Sequence, residues 1–331
     1  MKRVLLTGGA GFIGHHTIEH FLKRTDWQIF VMDRLTYAGN LNFLADLDVW
    51  KKQGHRVKFI YHDFRAPISD TTCNLMGDLD YIIHMGAESH VDRSIDDPMP
   101  FAESNVIGTV NMLQLLRFKY PHARFVYVST DEVYGPALGG HLHAEGEPHR
   151  PSNPYSASKS GAEAFCYAYW NTYGLDIMIT NTMNNFGERQ NKEKFVAKTV
   201  YRLLNKEPMV AHCKREKDGV VTDVSSRCWL HARNHADGLL FVLEHGKSGE
   251  RYNITGEWKP VDEMIKMIAG YLEVTDYKVL YEDFHSFRPG HDMHYGLDGS
   301  KLNALGWVAP FSLQESLENT VVWMKEHPEW L

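Results

Sequence analysis

Six short apolar runs, separated by segments with helical periodicity, constrain the fold of this 331-residue chain more than any other feature. They are VLLTG (4–8), IFVMD (29–33), KFIYHD (58–63), YIIHMG (81–86), FVYVST (125–130) and DIMITN (176–181). Runs that are nearly all apolar, rather than alternating, are typical of parallel strands buried on both faces. Strand–helix alternation therefore predicts an α/β fold with a doubly wound parallel sheet.

The pattern changes beyond about residue 185, where polar stretches separate isolated helical segments. This region predicts a smaller α/β substrate-binding domain laid over the strand ends of a Rossmann-like sheet. We predict two domains: residues 1–182 with about 227–245 for the cofactor, and residues 183–226 with 246–331 for the substrate.

Composition and charge exclude several classes of protein. Apolar residues make up 43% and charged residues 23%, which is ordinary for a globular chain. The net charge of −7 comes without a basic block, so we expect neither nucleic acid nor membrane as a partner. No apolar run is long enough for a membrane span or a signal-peptide core, which favours a cytoplasmic protein.

The four cysteines show no paired spacing, which predicts reduced thiols. They are Cys73, Cys166, Cys213 and Cys228. His231 and His235 have the spacing of metal ligands on a helix, but the two cysteines nearest in sequence lack close pairing. We therefore predict no metal centre.

The glycine cluster in VLLTGGAGFIG predicts a dinucleotide site, because it follows the first strand and precedes a helix. Gly8, Gly11 and Gly14 allow a tight turn and let a pyrophosphate approach the free N–H groups of the helix N-terminus. Asp33 ends the second strand, where a carboxylate bonds a ribose hydroxyl and repels a 2′-phosphate. The cofactor predicted is NAD, and Asp63 is similarly placed to reach its adenine.

Tyr155 and Lys159 in PYSASKS are one helical turn apart and share a face. An ammonium group and a positive nicotinamide would lower the pKa of the phenol towards the operating pH. Tyr155 is then a candidate base that removes an alcohol proton.

STDEVYG places Thr130, Asp131 and Glu132 at the carboxyl end of the fifth strand, where open α/β sheets bind ligands. Two adjacent carboxylates can hold different pKa values and serve as acid and base on one substrate. A polar turn with capping or solvated acids is an equally open interpretation of these residues alone.

Together these residues resemble the extended short-chain dehydrogenase/reductases and, within them, the nucleotide-sugar 4,6-dehydratases. The resemblance covers nearly the whole chain. Its specific segments are TGGAGFIG (7–14), DRLTYAGNL (33–41), AESHVDRSI (87–95), STDEVYG (129–135), PYSASK (154–159), NNFG (184–187) and RPGHD (288–292).

The resemblance implies dehydration of a nucleoside-diphosphate hexose, first of all dTDP-glucose, to its 4-keto-6-deoxy derivative. Tyr155, helped by Thr130 and Lys159, would take the 4-hydroxyl proton as hydride passes to NAD. Glu132 would then remove the proton on carbon 5, and Asp131 would protonate the departing 6-hydroxyl. Hydride would return to carbon 6, so NAD is regenerated in each turnover.

The resemblance also implies further contacts and a homodimer built from helices 102–118 and 156–172. Additional cofactor contacts are Phe12, Ile13 and Phe64. Substrate contacts are Ser89, His90, Asn185, Lys194, Arg227, Arg288 and His291, with the arginines on the diphosphate.

The segment 210–236 departs from the family pattern. In relatives this region contacts the nucleotide base and phosphates, so the departure bears on the choice of base and not on the chemistry. Its turn is longer, and Cys228 follows Arg227 where the family has Asp. His231 and Asn234 stand at the usual Tyr and Asp positions, and Glu188 stands where proline is common.

Alternatives within the superfamily are a UDP-sugar 4,6-dehydratase, a 4-epimerase and a decarboxylase. Epimerases do not need adjacent acids, and decarboxylases typically carry Ser in place of Asp131. A non-catalytic NAD-sensing module is the alternative from another class, but such proteins usually lose Tyr155 or Lys159.

Overall fold

A seven-stranded parallel sheet forms the centre of the computed structural model, which describes residues 1–216, 219–284 and 292–331. The strands are β1 (Arg3–Thr7), β2 (Gln28–Asp33), β3 (Val57–Tyr61), β4 (Tyr81–His84), β5 (Arg124–Thr130), β6 (Ile177–Thr182), β7 (Asn185–Phe186), β8 (Met209–Arg215), β9 (Val221–Val224), β10 (Ser226–His231), β11 (Arg251–Ile254), β12 (Glu257–Pro260) and β13 (Val279–Asp283). The order in the central sheet is β11-β6-β5-β4-β1-β2-β3. The chain reverses its direction of strand addition between β1 and β4, which is the doubly wound topology. The predicted fold class and all six predicted strands are confirmed.

Helices cover both faces of this sheet. They are α1 (Phe12–Arg24), α2 (Asn42–Ala45), α3 (Asp48–Gln53), α4 (Asp70–Met76), α5 (Val91–Asp96), α6 (Met99–Phe101), α7 (Gly108–Lys119), α8 (Pro154–Tyr173), α9 (Phe195–Leu204), α10 (Ala232–His245), α11 (Val261–Tyr271), α12 (Ser300–Ala304) and α13 (Leu313–Glu326). A π-helical stretch, Ala102–Ile107, leads directly into α7. Within the described ranges, no helix combines the length and apolar character that crossing a bilayer requires.

The all-apolar strands are explained by burial on two sides. Val4 and Leu6 of β1 pack with Ile18 of α1 in one cluster. Leu5, between them, packs on the opposite face with Met112 of α7. Successive side chains of a strand point to opposite faces, so both must be apolar when helices cover both.

Two small three-stranded sheets lie beyond the central sheet, in the orders β12-β10-β7 and β13-β8-β9. Helices α9, α11 and α13 bury these sheets' apolar residues in a separate cluster that includes Trp229, Ile265 and Leu317. The longer turn expected in segment 210–236 is an antiparallel pairing of β8 with β9, with an irregularity between Lys214 and Arg215.

The predicted division of the chain needs one correction. The sequence places residues 246–331 in the substrate-binding domain, but β11 pairs in parallel with β6 and completes the central sheet. Its four residues, RYNI, alternate polar and apolar and are too few to be recognised as a strand from periodicity. The rest of the division stays a prediction.

Candidate active site

A cavity of about 760 Å³ opens at the carboxyl ends of the central strands. Most of the predicted site residues line it. These are Gly8, Gly11, Phe12, Ile13, Gly14, Asp33, Phe64, Ser89, Thr130, Asp131, Glu132, Tyr155, Lys159, Asn185 and Lys194. Asp63, His90 and Arg227 are not among the lining residues, and Arg288 and His291 lie outside the described residues.

The glycine turn after β1 forms a cradle with no room for side chains. Gly8 has a φ of +72°, and a Cβ on it would lie 2.7 Å from Cα of Gly86. A Cβ on Gly14 would lie 2.4 Å from the carbonyl oxygen of Gly8. Gly11 is the N-cap of α1 and has no side chain to accept hydrogen bonds from the first N–H groups of this helix. The first residues of the helix line the cavity. The cradle therefore fits the pyrophosphate of a dinucleotide.

Asp33 ends β2 beside this cradle. Its carboxylate accepts hydrogen bonds from the N–H groups of Ala10 (3.1 Å) and Leu35 (2.8 Å). Burial raises the pKa of Asp33, while these backbone hydrogen bonds oppose the rise. The side chain is thus held in place at the cavity wall, where a ribose hydroxyl can reach it.

Asp63 has a different environment from the one its position predicts. Arg65 Nη2 donates to its carboxylate at 2.7 Å and Arg34 Nη1 at 3.1 Å. Burial alone would raise the pKa of Asp63, but these two guanidinium groups lower it to about 2. Arg34 itself lines the cavity and also donates to Glu88 (2.7 Å). Asp63 therefore orients Arg34, and its contact with adenine stays a prediction.

Tyr155 and Lys159 lie on the first turns of α8, which begins at Pro154. Asn153 and Ser156 form a reciprocal capping box that fixes this helix start. Lys159 Nζ donates to the carbonyl oxygen of Val128 (2.8 Å), and burial lowers the pKa of this lysine to about 7. The spacing thus brings both side chains to the cavity.

The protein's own groups do not lower the pKa of the Tyr155 phenol, and the lowering expected in the presence of a positive nicotinamide stays a prediction. Burial raises the pKa of Tyr155, and the charges of Glu132 and Asp131 raise it further. A hydrogen bond with Thr130 acts in the opposite direction but is outweighed. Lys159 is itself buried and bonded to a carbonyl, so the net field at Tyr155 is that of the carboxylates. Lowering this pKa needs another positive charge.

The two carboxylates follow β5 on a short 3₁₀ turn, Asp131–Tyr134. Thr130 Oγ1 donates to Asp131 Oδ1 (2.9 Å), and Asn153 Nδ2 donates to Glu132 Oε2 (3.1 Å). Burial and the charge of Glu132 raise the pKa of Asp131 to about 8. Burial also raises the pKa of Glu132, opposed by the bond from Asn153. The pair can therefore hold one proton near neutral pH, as an acid and a base acting on one substrate require.

The positive charge of Arg227 acts to lower the pKa of both carboxylates, while its guanidinium is held by backbone carbonyls. Its guanidinium donates to the backbone carbonyls of Ser226, Met293 and Asp292 and lies 4.4 Å above the ring of Tyr295. Tyr295 in turn lines the cavity. The diphosphate contact of Arg227 stays a prediction.

His90 is the N-cap of α5. Its Nδ1 accepts from the N–H of Arg93 (3.4 Å), and its Nε2 lies 3.5 Å from a carboxylate oxygen of Glu193. Ser89 lines the cavity, whereas His90 does not. The substrate contact of His90 stays a prediction.

Several residues of the site were missed by sequence reasoning. Asn153 holds Glu132, and Arg189 and Lys192 line the cavity beside Lys194. The basic residues after NNFG were a usable signal, because a diphosphate needs cations at the cavity wall. Asn153 had no comparable signal, since an Asn before Pro reads as an ordinary helix cap.

The family departures have structural partners. Glu188 Oε2 lies 3.2 Å from Nε2 of His231, so the two unusual residues contact each other. His231 also caps α10, and Asn234 exchanges two hydrogen bonds with the backbone of Phe311. Cys228 is buried in a cluster with Tyr134 and other apolar residues. These positions pack the framework around the site and do not line the cavity.

Comparisons with known proteins agree over the whole chain. The sequence profile of the GDP-mannose 4,6 dehydratase family matches residues 5–320. The dTDP-glucose 4,6-dehydratase of Neisseria meningitidis is 35% identical, with 100% of this chain and 95% of that protein covered.

Two solved structures superimpose closely. The dTDP-glucose 4,6-dehydratase of Bacillus anthracis in complex with NAD gives a TM-score of 0.85 at 32% identity, covering 100% of this chain and 98% of that chain. The dTDP-glucose 4,6-dehydratase of Streptomyces venezuelae, also with NAD bound, gives 0.85 at 35% identity, covering 99% and 98%.

Proposed function

The chain belongs to the GDP-mannose 4,6 dehydratase family, and on this basis we propose that it is an NAD-dependent hydro-lyase that converts dTDP-glucose to dTDP-4-keto-6-deoxyglucose and water. The observation that carries the proposal is the adjacent pair of Asp131, which is buried, and Glu132, which is partly buried, in one cavity with Tyr155, Lys159 and the glycine cradle. A redox site alone needs no adjacent acids, whereas oxidation followed by elimination needs both.

Each proton in this reaction has a group to carry it. Tyr155 takes the proton of the 4-hydroxyl as carbon 4 is oxidised to a ketone. The ketone acidifies carbon 5, and Glu132 removes the proton there. Asp131 donates its proton to the 6-hydroxyl, which leaves as water. A double bond forms between carbons 5 and 6 as the water leaves. Glu132 then returns its proton to carbon 5 as the hydride taken from carbon 4 returns to carbon 6. The proton that Tyr155 accepted restores Asp131, so every group ends the turnover in its starting state.

The chemistry that NAD supplies when bound is transient acceptance of hydride, together with a positive nicotinamide ring. That positive charge would lower the pKa of Tyr155, which the protein's own groups raise. Lys159 adds a positive charge to the site when it is protonated. Thr130 links the acid and the base, because its hydroxyl donates to Asp131 and also forms a hydrogen bond with Tyr155.

We expect the rate of dehydration to fall above about pH 8. Asp131 acts in its protonated form, and its raised pKa of about 8 keeps the proton available at lower pH. Above the pKa the rate should drop about tenfold for each pH unit. The measurement is kcat for dTDP-glucose from about pH 6 to about pH 10. A rate that stays level to the alkaline end would contradict the assignment of Asp131 as the acid.

We expect Asp33→Asn to weaken NAD binding about tenfold or more, because the ribose hydroxyl loses a charged acceptor. Calorimetric titration of protein freed of bound dinucleotide measures this. Asp80→Asn is the matched control, because Asp80 lies at the opposite end of the sheet and accepts from the N–H of Arg3. Equal affinities in the two variants would remove the ribose role from Asp33.

The substrate is tested directly by mass spectrometry after incubation with dTDP-glucose, UDP-glucose, UDP-N-acetylglucosamine and GDP-mannose in separate reactions. The expected result is loss of one water from dTDP-glucose. Water loss from another nucleotide sugar alone would keep the mechanism and overturn the substrate. No change with any of the four, in protein that binds NAD, would overturn the proposed activity.

The proposal includes a homodimer. Helices α7 and α8 pack against each other and still expose apolar side chains, including Phe118, Phe165 and Tyr167. An apolar surface on helices already packed on a core is typical of a second packing interface. We expect sedimentation at micromolar concentration to give the mass of two chains. A single-chain mass would exclude the dimer at that concentration.

We further propose a cytoplasmic location. Its support is the state of the four cysteines, which are all unpaired and buried. Thiols persist in this form in a reducing compartment. Labelling with a thiol reagent after denaturation, directly from cells, should modify all four cysteines.

A further inference from the structure

The loop between the 3₁₀ turn and α8 brings two imidazoles and a carboxylate together. His141 Nε2 lies 2.9 and 3.0 Å from the two carboxylate oxygens of Glu147, and His143 Nδ1 lies 2.7 Å from one of them. One ligand atom from each residue lies within 4.8 Å of the others, and in the described part of the chain no other group of His, Cys, Asp or Glu does so. We propose that these three residues bind a divalent transition-metal ion, with zinc the best match.

The backbone builds this arrangement. His141 has extended dihedral angles, and His143 forms a parallel bridge with Leu297. Residues two apart on an extended segment project to the same side. A turn then brings Glu147 back, with its N–H donating to the carbonyl of Ala144 (3.2 Å). The N–H of Ala144 donates to Glu147 Oε1 (2.9 Å), which fixes the carboxylate opposite both rings.

The ligand set selects the class of ion. The carboxylate of Glu147 faces both imidazoles and the N–H of Ala144. Two imidazole nitrogens and one carboxylate oxygen suit zinc, cobalt, nickel or copper, whereas magnesium and calcium prefer oxygen ligands. Tetrahedral zinc needs ligand atoms about 3.4 Å apart, which small rotations of the side chains provide.

The surroundings fit a site that is held by the fold and reached from solvent. The ring of His143 stacks on Tyr134 at 5.4 Å, and its carbonyl accepts from Asn253 Nδ2 (2.9 Å) in β11. The side chain of His141 is 52% exposed, so an ion can enter and a water can complete the coordination. A bound ion would clamp this loop to β11 and to the segment that bridges it at Leu297.

This site is separate from the active-site cavity, because none of its three ligands lines that cavity. Its chemistry is structural, and it neither needs nor supports the proposed dehydration. The prediction of no metal centre rested on the cysteines with His231 and His235. The pattern H-x-H-x₃-E has no standard ligand spacing, and only the folded turn brings its three residues together.

The test uses untagged protein stripped with a chelator and then titrated with Co²⁺, followed by visible absorption, and with Zn²⁺ against a chromophoric chelator. We expect one equivalent of metal per chain. His141→Ala and Glu147→Gln should each weaken binding at least tenfold. His122→Ala is the matched control, because His122 is also exposed but lies far along the chain from this loop.

Thermal unfolding provides a second readout that does not depend on activity. Zinc at about a hundredfold excess over Kd should raise the Tm of the wild-type protein by about 4 °C. The same addition should leave the Tm of folded His141→Ala unchanged, with folding checked by circular dichroism. Absence of stoichiometric uptake by the wild-type protein, or uptake and Tm shifts equal in all variants, would overturn the proposal.

Discussion

Replacing Asp131 by Asn and Glu132 by Gln together is expected to slow water elimination from dTDP-glucose by about a thousandfold or more, while the substrate still reduces NAD transiently. Both carboxylates serve only the steps after oxidation, and Tyr155 and Lys159 remain in place. The reduced nicotinamide should therefore accumulate in a single turnover. Rapid-mixing absorbance measures its formation, and mass spectrometry measures the missing dehydration.

The matched control removes an adjacent pair of acids elsewhere. Asp96→Asn with Asp97→Asn replaces two adjacent acids by amides at the exposed end of α5, so it should leave the rate of dehydration unchanged. Dehydration at the wild-type rate in the Asp131/Glu132 variant would remove the acid and base roles from both residues.

Tyr155→Phe is expected to lower kcat by about a thousandfold and to abolish the transient reduction as well. The ring is retained, including its contact with Phe101 at 6.4 Å, so the fold should persist. What is lost is the hydroxyl that pairs with Thr130 and accepts the substrate proton. Single-turnover absorbance with saturating dTDP-glucose measures the result.

Tyr167→Phe on the same helix is the control, because Tyr167 does not line the active-site cavity and the change keeps the ring that the proposed dimer would bury. If Tyr155→Phe reduced NAD at the wild-type rate, another group would have to take the 4-hydroxyl proton. The two sets of variants together separate the oxidation from the elimination.

The central sheet and the position of the site were predictable because both depend on local patterns. Strands buried on both faces must be apolar throughout. Gly8 and Gly14 are required because a Cβ on either would lie within 3 Å of backbone atoms, those of Gly86 and of the glycine turn respectively. The four-residue spacing of Tyr155 and Lys159 needed only a helix to bring them together. The acids after β5 needed only a parallel sheet to reach the ligand side.

The two small sheets and β11 were not predictable in the same way. They pair segments far apart in sequence, such as β8 with β13 and β6 with β11, and their short strands carry mixed polarity. The direction of the pKa change at Tyr155 also depended on burial and on how Lys159 is anchored. Neither quantity follows from spacing along a helix.

Residues recruited by loops were the hardest to predict. Asn153 bonds Glu132 because the cap of α8 lies beside the 3₁₀ turn, and Glu188 meets His231 because β7 pairs with β10. Such contacts arise from the relative placement of elements, on which a single sequence carries little information.

The pairing of β11 with β6 makes the sheet depend on a distant part of the chain. The seventh strand arrives only at Arg251–Ile254, after the chain has formed β7 to β10. During synthesis, β6 therefore remains an open edge, able to pair with other chains, until this segment emerges. A hybrid enzyme in which everything after β6 comes from a relative would lose its own β11 together with the segment 210–236. A hybrid that keeps its own β11 needs one further junction before this strand and another after it.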